Sequence, residues 1–141
     1  MAAETFNVDI KGYWRDRNKA DIPRHSGVYF VYTGTYDSIK NTVDLKRLIY
    51  IGEAENVNDR IQNHEKYSIW LRYLQNGEEL VFSTGEVAAI SRARVEAAYI
   101  FKHKPPANTE YLNSFPFDQT TIVSSGKTKF LNTHFTVHRL N

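Results

Sequence analysis

The chain has 141 residues, enough for one domain with a sizeable core, and its 41% hydrophobic and 24% charged residues are ordinary for a globular protein. It contains no cysteine, which excludes disulfides and thiolate metal sites and makes a cytoplasmic location the default expectation. It has neither a long apolar run nor a signal-peptide pattern, so no membrane partner is expected. A net charge of +2 is compatible with a polyanionic partner but does not indicate one.

The N-terminal stretch, residues 1–26, predicts a short strand followed by a basic segment. Residues 5–10 alternate apolar and polar side chains, as an edge strand does. Residues 11–24 place Tyr13 and Trp14 among five basic side chains, a mixture that suits contact with a nucleic-acid backbone. A solvated loop with Trp14 in the core explains it equally well. The basic residues that would contact nucleic acid here are Arg15, Arg17, Lys19 and Arg24.

Two segments rich in β-branched and aromatic residues, 28–32 and 48–51, predict a pair of antiparallel strands. Each of them contains a tyrosine. The residues between them, 33–47, are polar and turn-rich, which predicts a long hairpin loop.

A helix is predicted to follow over about 57–66, with Asn56 as its cap. Its apolar residues recur four apart and define a buried face. Arg60 and His64 form a second pair at the same spacing, about 100° away around the axis. A fixed guanidinium beside a group that titrates near neutrality suits phosphate chemistry.

Three more elements are predicted before residue 105: a helix over 67–75, a strand over 79–87 and a helix over 92–103. Ser91 is expected to cap the last of these. Glu96 lies beside the apolar stripe of this helix, and a carboxylate next to an apolar face needs a cation or a metal ion.

The remaining residues, 109–141, predict two further strands, over about 119–123 and 135–140. His134 and His138 would share a strand face, but a zinc site there lacks cysteine and acidic ligands. At the end of the preceding helix, Lys102 and Lys104 are further candidates for contact with nucleic acid.

In their order and spacing, these residues resemble the GIY-YIG nuclease superfamily. The arginine falls eight residues after the second glycine of the pattern, and the glutamate twelve before the asparagine. The residues that carry the resemblance are the triplet GVY at 27–29, the triplet YIG at 50–52, Arg60, His64, Glu96 and Asn108.

The resemblance implies an α/β fold of the α+β type. Its core would be a small three-stranded antiparallel sheet flanked by helices in the order β-β-α-α-β-α, which is also the order that the residue patterns give. We expect one domain over 1–141, with this core at 27–108, a basic extension at 1–26 and C-terminal strands within 109–141.

The resemblance also implies a DNA endonuclease that hydrolyses phosphodiester bonds with one Mg²⁺ or Mn²⁺ per active site. A homodimer or a partner subunit would then supply specificity. By this resemblance Glu96 would bind the metal ion and Arg60 the scissile phosphate. Tyr29 would act as the general base or orient the attacking water, and Tyr50 would support it or share that role. His64 would transfer a proton or contact the phosphate, and Asn108 would brace the site.

Two departures from the family pattern lead to expectations of their own. The spacer between the two tyrosines is longer than in most members, which predicts an enlarged hairpin loop. Glu53 stands where many members have lysine, so the alternative is a catalytically weakened DNA-binding or protein-interaction module on the same fold. A tyrosine pKa near 10 is too high for a base at neutral pH, so a neighbouring cation is expected to lower it.

Overall fold

The computed structural model describes residues 2–141 and has an α+β fold built on one mixed sheet of six strands. The α+β class predicted from the sequence is confirmed. The strands are β1 (Glu4–Arg15), β2 (Gly27–Asp37), β3 (Thr42–Ala54), β4 (Glu79–Glu86), β5 (Thr120–Gly126) and β6 (His134–Val137). The α-helices are α1 (Val57–Gln62), α2 (Tyr67–Leu71) and α3 (Arg92–His103), and short 3₁₀ helices span Asp16–Asp21 and Ala89–Ser91.

The strands lie in the order β3-β2-β4-β1-β5-β6, so the sheet is twice as wide as the predicted three-stranded core. The strand predicted over 5–10 is present within β1, but it is not an edge strand, because β1 pairs antiparallel with β4 and parallel with β5. Val8 and Ile10 are buried while Asn7 and Asp9 are exposed. Alternation of this kind shows that one face of a strand is buried, but it does not show whether both of its edges are paired.

The long hairpin loop predicted over 33–47 is also wrong. Strands β2 and β3 remain paired out to Asp37 and Thr42, which leaves only residues 38–41 as the turn. The carboxylate of Asp37 accepts the backbone N–H groups of Ile39 at 2.9 Å and Lys40 at 3.1 Å, an arrangement that stabilises a tight turn. The polar residues that suggested a loop therefore lie on an extended two-stranded arm.

Buried side chains form two hydrophobic clusters, one on each face of the sheet, where the helices pack against it. On one face α3 packs over residues such as Phe30 and Ile122, and on the other α1 and α2 cover Ile49 and Phe82. Successive residues of β2 point to opposite faces, so Tyr29 joins the second cluster while its neighbour joins the first.

The helices that flank the sheet are shorter than predicted, except for α3. The Asn56 side chain accepts the Asp59 N–H at 3.3 Å, as expected for the cap of α1, but this helix ends at Gln62 rather than near residue 66. Beyond it the His64 ring accepts the Lys66 N–H at 3.0 Å, a local bond that replaces the helical pattern. Helix α2 ends at Leu71 instead of residue 75, and Ser91 precedes α3 without a side-chain capping bond.

The two C-terminal strands are present, with shifted ends. Because β6 ends at Val137, His138 lies outside the strand that was expected to hold both histidines. The guanidinium of Arg94 on α3 ties this region together, donating to Thr120 Oγ1 at 2.7 Å and to the Gln119 carbonyl at 2.9 Å. Within residues 2–141, no helix has the length and apolar character needed to cross a membrane.

Candidate functional site

Four of the six residues predicted to act in catalysis line an open cleft of about 390 Å³: Tyr29, Tyr50, Arg60 and Glu96. They come from β2, β3, α1 and α3, so elements distant in sequence converge on one place. A larger groove of about 480 Å³ lies between α3 and β6, but it contains only Lys102 of all the predicted site residues.

His64 lies behind the two tyrosines, and its ring nitrogens have defined partners. Nε2 is 2.7 Å from the Tyr29 hydroxyl, and Nδ1 accepts the Lys66 backbone N–H at 3.0 Å. A neutral imidazole carries one proton, so a ring that accepts at Nδ1 carries its proton on Nε2 and donates it to the Tyr29 oxygen. The Tyr29 O–H is then left to donate to another group.

Burial dominates the pKa values of these three rings. It raises the pKa of Tyr50 to about 12 and that of Tyr29 further still, and the opposing effect of the Arg60 charge is smaller in both cases. The Arg60 charge acts in the expected direction on both tyrosine pKa values, but burial outweighs it and the net shift is upward. Burial, followed by the Arg60 charge, lowers the pKa of His64 to about 4. All three groups are neutral at pH 7, and Tyr29 and His64 are joined by a hydrogen bond.

Arg60, in the last turn of α1, is bound by the carboxylate of Glu65. Its two terminal nitrogens lie 2.5 and 2.7 Å from the two Glu65 oxygens, and these bonds lower the pKa of Glu65 to about 2. A guanidinium binds phosphate oxygens with the same two-point geometry. The Arg60 guanidinium therefore holds the Glu65 carboxylate with the geometry that it would use to bind a phosphate.

Glu96 lies in the cleft among other carboxylates. Burial raises its pKa to about 8, with further increases from Glu53 and Glu110 that the backbone N–H of Glu53 partly offsets. Glu53 is 3.3 Å from Nε of Arg92, whose Nη1 donates to Ser26 Oγ at 2.9 Å. A cation near Glu96 would relieve the repulsion among these acids.

The donor set around Glu96 fits a hard divalent cation bound largely through water. Within residues 2–141, no three His, Asp or Glu side chains are grouped closely enough to surround one ion. Mg²⁺ does not require such a cage, since it commonly binds through one or two carboxylates and keeps several waters. Glu96, with Glu53 or Glu110 beside it, meets that need.

Asn108 is buried, does not line the cleft, and binds the outer edge of β3. Its side chain accepts the Ile51 N–H at 3.0 Å and donates to the Ile51 carbonyl at 2.9 Å, as a neighbouring strand would. The Ala107 N–H adds a bond to the Ile49 carbonyl at 2.9 Å. These contacts fix the backbone on both sides of Tyr50.

No family model matches the chain, and comparisons with curated proteins and with solved structures gave no significant match. The cleft and the residue pattern are therefore the grounds for inferring a function.

None of the six basic residues predicted to contact nucleic acid lines the cleft. Arg15 binds Glu79 through two bonds of 2.7 and 2.9 Å and stacks 3.6 Å from the Tyr36 ring centre. Ion pairs also occupy two others, Lys19 with Asp16 and Arg24 with Asp59. Arg17 and Lys102 are exposed, and Lys104 donates to the Leu112 carbonyl.

Sequence reasoning missed several residues that line the cleft, chiefly Glu65, Lys66 and Glu110. Glu65 and Lys66 follow His64 directly, but a helix predicted to run to residue 66 gave no reason to place them beside Arg60. Glu110 lies in the segment after Asn108, where no residue pattern indicated a position.

Proposed function

We propose that this protein is a metal-dependent DNA endonuclease of the GIY-YIG type that hydrolyses phosphodiester bonds in the cleft. The observation that carries the proposal is the convergence of Tyr29, Tyr50, Arg60 and Glu96 on one open, polar cavity. The three adjacent antiparallel strands β3, β2 and β4 are the candidate for the family's sheet.

Cleavage of a phosphodiester requires neutralisation of the charge that develops on phosphorus-bound oxygens, an oriented nucleophile and a stabilised leaving group. In this proposal Glu96 holds a Mg²⁺ or Mn²⁺ ion, with Glu53 or Glu110 nearby. Such an ion, when bound, supplies Lewis acidity and stabilises negative charge on oxygen. The side chains of the chain itself provide binding and orientation.

Arg60 binds the scissile phosphate by exchanging partners. Its fork holds Glu65 through two short bonds, and Glu65 is 63% exposed, so its carboxylate can leave for solvent when a phosphate enters. Two parallel bonds to the non-bridging oxygens would then replace the two bonds to the carboxylate.

Tyr29 orients the attacking water. It is a neutral phenol at pH 7, its oxygen accepts from His64, and its own O–H remains to donate. The donor at His64 also stabilises the phenolate form whenever Tyr29 gives up its proton. Tyr50, stacked on Tyr29 with ring centres 6.3 Å apart, fixes the position of that ring.

A DNA-binding or protein-interaction module is the second candidate, because the cleft is rich in acids. Four carboxylates line it, from Glu53, Glu65, Glu96 and Glu110, against the cations Arg60 and Lys66. If these acids prevent catalysis, the protein binds DNA with a salt-dependent affinity but does not cut it.

Fluorescently labelled duplex and flapped oligonucleotides, incubated with Mg²⁺ or Mn²⁺, separate the two candidates. We expect wild type to cut and both Tyr29→Phe and Arg60→Gln to lose about 10²-fold or more of the rate. The matched controls are Tyr36→Phe and Arg72→Gln, outside the cleft, which should retain activity. Full activity in the cleft variants would overturn the proposal, and binding of every substrate without cleavage by wild type would favour the second candidate.

A further inference from the structure

The cleft contains two cations, and they differ in what surrounds them. Arg60 is held by both oxygens of Glu65. Lys66 also lines the cleft, yet among residues 2–141 no carboxylate lies within 4.0 Å of its ammonium group. A polyanion approaching the cleft therefore meets a cation at Lys66 that has no partner to give up.

Lys66 is fixed next to the rings that the proposed reaction uses. Its ammonium nitrogen lies 5.4 Å from the centre of the Tyr50 ring, within the range of a cation–π contact. Its backbone N–H donates to His64 Nδ1 at 3.0 Å, which ties the main chain at residue 66 to the imidazole that contacts Tyr29. The side chain is only partly exposed, so its orientation toward the cleft is constrained.

We propose that Lys66 is a substrate-contacting residue whose ammonium group binds a non-bridging oxygen of the DNA backbone in the cleft. This inference rests on the proposed function, since it takes a phosphodiester as the ligand. A lysine ammonium is a compact charge with three donors, and it binds a phosphate oxygen without the two-point geometry that a guanidinium requires. It complements Arg60, which must first release Glu65.

The test is the affinity for a fluorescently labelled DNA duplex, measured by anisotropy in EDTA over a series of KCl concentrations. We expect Lys66→Met to weaken binding about 5- to 20-fold at low salt. The plot of log affinity against log salt should become less steep, its slope shrinking in magnitude by about 1, as it does when one phosphate contact is lost. Lys66→Arg should restore most of the affinity, and Lys40→Met, at the tip of the hairpin arm, is the matched control.

Cleavage kinetics in Mg²⁺ provide the second readout. Lys66→Met should raise KM several-fold with a smaller effect on kcat, because the contact is made in the bound ground state as well. If wild type cuts DNA but Lys66→Met has the same salt slope and KM as wild type, the role of Lys66 alone is overturned. Absence of both binding and cleavage in wild type would overturn the proposed function and this inference with it, as would binding of polyglutamate in place of DNA.

Discussion

The ring of Tyr29 lies over Gly52, its partner on the neighbouring strand, and occupies the space that a side chain there would fill. A Cβ atom at Gly52 would overlap both Cζ and the hydroxyl oxygen of Tyr29. The same hydroxyl is 2.7 Å from His64. The glycine of the second triplet thus makes room for the tyrosine of the first, which gives a physical reason for the two to occur together.

Gly52→Ala should displace the Tyr29 hydroxyl and abolish most of the cleavage, with a loss of stability of up to about 3 kcal/mol from overpacking. Gly77→Ala is the matched control: its φ is +82°, but no atom lies within 4 Å of the added methyl group. That change should cost roughly 1 kcal/mol of backbone strain and leave cleavage intact. Urea unfolding and oligonucleotide cleavage measure the two effects, and full activity in Gly52→Ala would contradict the account.

Glu65→Gln should increase DNA affinity, because it weakens the partner that holds Arg60 and removes a negative charge from the cleft. We expect a gain of about 3- to 10-fold at low salt, measured by anisotropy, and less at high salt. Glu86→Gln makes the same change in net charge at an exposed position outside the cleft. An equal gain in that control would show that overall charge, rather than release of Arg60, explains the result.

The stability of the fold should depend on pH through His64. Its pKa is about 4 in the folded state against about 6.5 when unfolded, so the unfolded chain takes up the proton first as the pH falls. The contribution of the neutral His64 ring to the free energy of unfolding is fully present above pH 6.5. Between pH 6.5 and 4 about 1–3 kcal/mol of that stability is lost. Urea unfolding at pH 7 and pH 4.5 should show a smaller pH dependence in His64→Gln than in wild type or in His138→Gln, an exposed site.

Glu96 should link stability to divalent cations. The pKa of Glu96 is about 8 in the folded state and 4.5 in the unfolded chain. Its contribution to the stability of the fold is therefore present below pH 4.5 and is lost as the pH rises to 8. Without metal, Glu96→Gln should therefore melt several degrees above wild type at pH 8, since each kcal/mol corresponds to about 2–4 °C. Millimolar Mg²⁺ or Mn²⁺ should raise the melting temperature of wild type but not of Glu96→Gln. An equal rise in both would place the ion elsewhere.

The sequence predicted the parts of the site that depend on local pattern and failed where distant segments pair. Tyr29, Tyr50 and Glu96 were expected on β2, β3 and α3, and local composition and periodicity identify those elements. The interior position of β1 depends on β5, more than 100 residues away, which no local pattern records.

The same limit explains the errors near Arg60. The helix was predicted to run to about residue 66, with Arg60 and His64 four residues apart on it, but the His64 ring bonds to the Lys66 backbone and ends the regular pattern. That turn is what brings Glu65 back to Arg60 and Lys66 into the cleft. The burial that raises both tyrosine pKa values is likewise a property of the packed sheet, which the residue types alone could not give.

The most direct test of the nuclease assignment is the conversion of supercoiled plasmid to nicked or linear DNA by wild type, Glu96→Gln and Glu86→Gln, purified side by side with and without Mg²⁺ or Mn²⁺. We predict metal-dependent cleavage by wild type and Glu86→Gln, and a loss of at least about 10²-fold in Glu96→Gln. A contaminating nuclease would copurify equally with all three proteins. Cleavage by Glu96→Gln at the wild-type rate would therefore contradict the assignment of Glu96 to the active site.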